Sequence, residues 1–158
     1  MIPPTPFLLS VAGLGVSLAG FSGLVAAFRR GATWQKIDSY RLRQIPEMGL
    51  AASLLALATF PLADSVRDPT AVLRIAAGAG LLFSLLHMLT LALRVRRLEI
   101  HLSRPRWILV VIIDLVVVTT GGLALAFATA PAYEWLLVLM LARPMLAFVL
   151  VLADVAEA

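Results

Sequence analysis

Apolar residues collect in five long runs, approximately residues 7–28, 45–63, 71–93, 107–130 and 135–153, separated by short stretches rich in charge, proline or small polar residues. A helix needs about 20 residues to cross about 30 Å of hydrocarbon, and each run is close to that length. The pattern predicts an all-α, polytopic transmembrane helix bundle of five spans, forming a single membrane domain over residues 1–158. Residues 11–28 carry no charge and are followed at once by Arg29 and Arg30. A secretion signal has its basic residues before the apolar run. Here the run is preceded by the neutral MIPPTP, so it reads as a retained span.

The fifth run differs because Arg143 and Pro144 interrupt its middle. A central arginine costs a few kcal/mol on insertion scales, which the leucine-rich flanks offset. Five spans are therefore expected, the alternative being four spans with a re-entrant C-terminal hairpin. Proline also removes a backbone donor and kinks a helix about a turn earlier, making Pro144 a candidate hinge. Thr119, Thr120, Gly121 and Gly122 in the fourth run are expected to lie near that break.

Composition agrees with the runs: 61% of the 158 residues are hydrophobic and 14% charged, against roughly 25% charged in soluble domains. Such a chain needs the lipid bilayer as its solvent. The net charge of +4 does not indicate nucleic acid, because ten of the basic residues sit in two loops, residues 29–44 and 94–106. The connections on the other side hold two, Arg67 and Arg74. The positive-inside rule makes both basic loops cytoplasmic, with the N-terminus outside and the C-terminus inside. Trp34, Trp107 and Trp135 fall at span ends or in loops, where indoles favour the headgroup level. Trp34, Ile37 and Tyr40 recur every third position, which fits a short interfacial helix and equally a solvated loop.

Gly15, Ala19, Gly23 and Ala27 lie four apart on one face of the first run, with Gly13, Ser17 and Gly20 alongside. Ala76, Gly80 and Ser84 repeat the device in the third. Small residues at this spacing let helix backbones approach closely. The two stripes are expected either to face each other or to join copies into a homo-oligomer or to a partner membrane protein.

Ionisable residues inside the hydrocarbon are costly and mark candidate sites. Glu47, His87, Asp114 and Arg143 qualify, and at ~1.5 Å per residue all can converge on the cytoplasmic half of the bundle. Asp114 and Arg143 form either a buried ion pair or, with His87, the lining of a hydrated path. No metal or cofactor is expected, since His87 has no companion donors at ligand spacing. The chain has no cysteine, which removes disulfides and thiolate chemistry. Ser84, His87 and Asp114 are the one conceivable nucleophilic grouping, and nothing in their spacing motivates it, so the chain is not expected to be an enzyme.

The segment SLAGFSGLVAAFRR, with Trp34, Asp38 and Arg41 after it, resembles the N-terminal region of small uncharacterised bacterial multi-span inner-membrane proteins. That resemblance covers about the first third of the chain. It implies a bacterial inner-membrane location and assigns no activity or site. Small-residue faces and convergent intramembrane charges together lead to the expectation of a small oligomeric ion channel or ion-conducting protein. The alternative is a non-conducting accessory or assembly subunit docking a partner through its small-residue helix faces.

Overall fold

Helix is the only continuous way to satisfy backbone hydrogen bonds in lipid short of a closed barrel, and the five apolar runs take it. The computed structural model describes the backbone of residues 1–28, 36–98 and 104–156 and the side chains of 1–27, 42–94 and 108–149. It contains α1 (Thr5–Phe28), α2 (Lys36–Ser65), α3 (Pro69–Leu98), α4 (Arg104–Phe127) and α5 (Ala130–Ala156). Among the described residues five segments are long and apolar enough to cross a membrane: Thr5–Ala27, Leu42–Ser65, Pro69–Arg94, Ile108–Phe127 and Ala130–Val149. The chain is a multi-pass membrane protein. The fifth segment is one unbroken helix through Arg143 and Pro144 rather than a re-entrant hairpin.

Helix α2 departs from the expectation at its start. It begins at Lys36 and continues through Pro46 and Pro61 to Ser65, so the backbone of residues 36–42 is the first part of a long helix and not a separate interfacial one. Residues 29–35, with Arg29, Arg30 and Trp34, lie outside the described residues, as do the side chains of Lys36, Arg41, Arg96, Arg97, Arg104, Arg106 and Trp107. Trp135, one turn into α5, is exposed.

The two tight turns are built by local chemistry. Asp68 caps α3, its Oδ1 accepting from Thr70 N at 2.9 Å, and Pro69 fills the first helical position where a missing N–H costs nothing. At the end of α4, Ala128 adopts φ 50° and its N–H reaches the Ala124 carbonyl at 2.9 Å. This is a left-handed helix cap of the kind glycine usually makes. Helix α5 then starts one residue after Thr129, whose carbonyl accepts from Tyr133 N at 3.2 Å.

Sequential helices run antiparallel, as paired contacts show. Gly15 meets Gly49 and Ala12 meets Ser53 across α1 and α2. Leu81 packs on Gly121 across α3 and α4. Asp114 meets Arg143 across α4 and α5. Helix α5 touches all four other helices and supplies the fully buried Tyr133, Leu136, Leu137 and Met140. Around it close Leu8 and Val11 of α1, Ala52 and Ala56 of α2, Leu73, Ala76 and Ala77 of α3, and Val117 and Ala124 of α4. Among the described residues α1 makes no contact with α3 or α4. It leans on α2 and α5 at the edge of the bundle.

Candidate functional site: a polar layer across four helices

Each inward stripe of small and aliphatic residues ends in a polar one. On α4, Asp114 continues the buried line of Val117, Gly121 and Ala124. On α5, Arg143 follows Leu136 and Met140, and on α3, His87 follows Ala76, Gly80 and Ser84. Residues three or four apart share a helix face, so the same periodicity that builds the core delivers these groups into it.

Arg143 holds Asp114 through its two terminal guanidinium nitrogens. Nη2 donates to Oδ2 at 3.0 Å, and Nη1 lies 2.9 Å from Oδ1, with side-chain exposures of 10% and 5%. Oδ1, buried, makes only this charge contact and receives no hydrogen bond among the described residues. One charge-assisted hydrogen bond and a second charge contact thus join guanidinium to carboxylate, and mutual neutralisation is the least costly way to keep both groups away from water. Beside the pair, Gln44 of α2 and His87 of α3 meet Nε2 to Nε2 at 3.2 Å. The His87 ring stacks with Phe83 one turn earlier, centroids 6.1 Å apart, and the positive charges of Arg143 and Arg94 act on it.

Glu47 stands apart from this layer. Its Oε1 accepts from Arg43 Nε at 2.7 Å, one turn earlier on the same helix, and both side chains are partly exposed. The sequence reading placed Glu47 with His87, Asp114 and Arg143, but the face of α2 that meets α3 presents Gln44 instead. The Ser84, His87 and Asp114 side chains also turn to different partners. Ser84 Oγ donates to the Gly80 carbonyl at 2.8 Å on its own helix, while His87 meets Gln44 and Asp114 meets Arg143. Among the described residues no group of three or more His, Asp or Glu side chains is placed to hold a metal ion.

The small-residue stripes divide. A Cβ on Gly15 would collide with the Gly49 carbonyl and Ser53 Oγ, and one on Gly49 would sit 2.7 Å from the Gly15 carbonyl oxygen. Ser53 Oγ donates across the interface to the Ala12 carbonyl at 2.8 Å. This is backbone-to-backbone packing made by one glycine from each helix. Ala19 is half-buried, whereas Gly23 and Ala27 are exposed, and a Cβ on Gly13, Gly20 or Gly23 would meet nothing within 4 Å. On α3, Ala76, Gly80 and Ser84 are buried, and a Cβ on Gly80 would lie 3.1 Å from Leu136 and 3.4 Å from Leu55. The two stripes therefore do not face each other, since α3's looks into α2 and α5.

Pro144 and residues 119–122 are likewise apart. Gly121 packs on Leu81 and Leu136, and Leu136 is two helical turns from Pro144 on α5. The residue opposite the Arg143 and Pro144 step is Asp114.

Three participants, Gln44, Gly49 and Ser53, are not among the residues expected from the sequence. Gln44 closes a predicted loop and is the first inward polar group among the described side chains of α2. Gly49 and Ser53 are themselves small residues four apart, the spacing that flagged α1 and α3. At the other end of the core, Tyr133 Oη donates to the Leu55 carbonyl at 3.0 Å and lies 3.1 Å from Thr59 Oγ1.

Comparison of the chain with protein-family models, with curated proteins and with solved structures finds no match.

Proposed function

We propose that this chain is a non-conducting subunit of a bacterial inner membrane, N-terminus outside and C-terminus cytoplasmic, that associates laterally with another transmembrane helix in a homo-oligomer or on a partner membrane protein. One observation carries the reading: the Asp114 and Arg143 charges are bound to each other. Beyond them, toward Thr59 and Tyr133, the interior is filled by Leu73, Ala77, Val117, Leu136, Leu137 and Met140. A hydrated path needs polar lining through the membrane, and this core offers an apolar plug. Lateral association rests on the outer side of α1, where Gly13, Ser17, Gly20 and Gly23 are exposed. These small residues alternate with the exposed Leu9, Leu14, Val16, Phe21 and Leu24, whereas the exposed first half of α4, with Ile108, Val111, Ile112 and Leu115, has no such small residues.

The second reading, ion conduction, is favoured by the adjacency of Gln44, His87, Asp114 and Arg143 on four helices. Flux assays on liposomes containing only this protein separate the two. The expected result is ion and proton flux no greater than in protein-free liposomes. Flux from the wild type that Asp114→Asn abolishes would transfer the function to conduction. Because the chain has no cysteine, Gly20→Cys or Gly23→Cys gives a unique cross-linking site in native membranes. A product heavier than the single chain is expected, and its absence under every oxidant and linker length would remove lateral association through α1.

A further inference from the structure

The contact between Gln44 and His87 carries information beyond packing. Two nitrogens face each other at 3.2 Å. An amide nitrogen is only a donor, so the imidazole Nε2 has to be the acceptor. That requires a neutral ring with its proton on Nδ1.

We propose that the Gln44 and His87 contact is a protonation-sensitive latch between α2 and α3. An imidazolium has donors at both nitrogens and cannot accept from Gln44. On taking a second proton, His87 would oppose donor to donor, and Gln44 has either to turn its amide end for end or to leave. Either response changes how the first part of α2 sits on α3. The new charge also meets Arg143 from α5 and Arg94 from α3 itself. Among the described side chains, the carboxylates in this half of the bundle are engaged: Asp114 of α4 by Arg143 and Glu47 of α2 by Arg43. The latch depends on neither the docking nor the conduction reading, and its test uses neither flux nor cross-linking.

The full chain in lipid nanodiscs, with ¹⁵N-labelled histidine, provides the first measurement. At neutral pH the His87 resonances should show a protonated Nδ1 and a bare Nε2. A proton on Nε2 would overturn the proposal. Hydrogen exchange is the second, compared between about pH 8 and the pH, down to about 3.5, at which the ¹⁵N resonances show the His87 ring protonated, after correction for intrinsic rates. Backbone amides of residues 44–53 and 80–90 should exchange roughly five- to tenfold faster once His87 is charged, as expected for one lost buried hydrogen bond. His87→Gln can still bond Gln44 but cannot take the charge, and should show no such acceleration. An equal acceleration in His87→Gln, or a ring that titrates with no change in exchange, would overturn the latch. Should the variant fail to fold, the two wild-type measurements decide it.

Discussion

Asp114 and Arg143 are a test of what a buried charge pair is worth where lipid surrounds the bundle. Removing one partner leaves the other charged and desolvated, a loss of about 3–5 kcal/mol for buried pairs. Replacing both by apolar groups of similar size removes the desolvation together with the attraction, which often leaves stability nearly unchanged. Asp114→Leu and Arg143→Met are therefore each expected to lower unfolding free energy by about 3 kcal/mol in detergent or bicelles, and the double variant to recover most of it. Strictly additive losses would show that the two groups act independently. This pair was legible in the sequence, because an isolated acid and an isolated base in adjacent apolar runs at matching depth have few other ways to coexist. The role of Gln44 was not legible. Amide side chains carry no charge penalty that marks them, and hydropathy alone put Gln44 at a loop end.

Between elements, the α1 and α2 interface turns on how close two backbones can come. Gly15 and Gly49 are in mutual contact with no side chain between them, so a methyl at either has to push the helices apart. Gly49→Ala is expected to destabilise the bundle by about 1–3 kcal/mol, the usual cost of overpacking, as measured by reversible unfolding. Gly23→Ala, with open space around it, should be neutral or stabilising by up to about 1 kcal/mol through helix propensity. Equal losses at both positions would mean that the outer side of α1 is as tightly packed as its inner side. The i, i+4 spacing in α1 marked close packing but not which part of the stripe uses it. Beyond Gly15, α1 meets α2 through Leu18 and Val25, which pack on Leu42 and Ile45, so the line of Gly23 and Ala27 is left facing outward. The start of α2 was hidden for a different reason. Hydropathy reports where a helix enters an apolar environment, and a 30-residue helix is about 45 Å long at ~1.5 Å per residue, longer than the hydrocarbon it crosses.

For the molecule as a whole, antiparallel succession of five spans places the ends of α1 and α5 on opposite faces, and the positive-inside rule turns the charge asymmetry into an expected direction. The loops joining α1 to α2 and α3 to α4 open on the same side as the end of α5. That side holds ten basic residues in residues 29–44 and 94–106, against Arg67 and Arg74 on the other. Green fluorescent protein fused at the C-terminus is accordingly expected to fluoresce, and alkaline phosphatase at the same point to stay inactive. A phosphatase inserted after residue 129, in the turn before α5, should be active. An active C-terminal phosphatase would reverse the orientation or remove α5 from the membrane. Asp114→Leu extends the test, because Arg143 then enters the bilayer without its partner, at about 2.5–3.5 kcal/mol on insertion scales. The leucine-rich flanks of α5 offset that cost, so the reporters should read the same topology in this variant while its unfolding free energy falls. A C-terminus shifted outward by Asp114→Leu alone would mean that the pair acts already at insertion, and that α5 crosses only because α4 has brought a carboxylate to meet it.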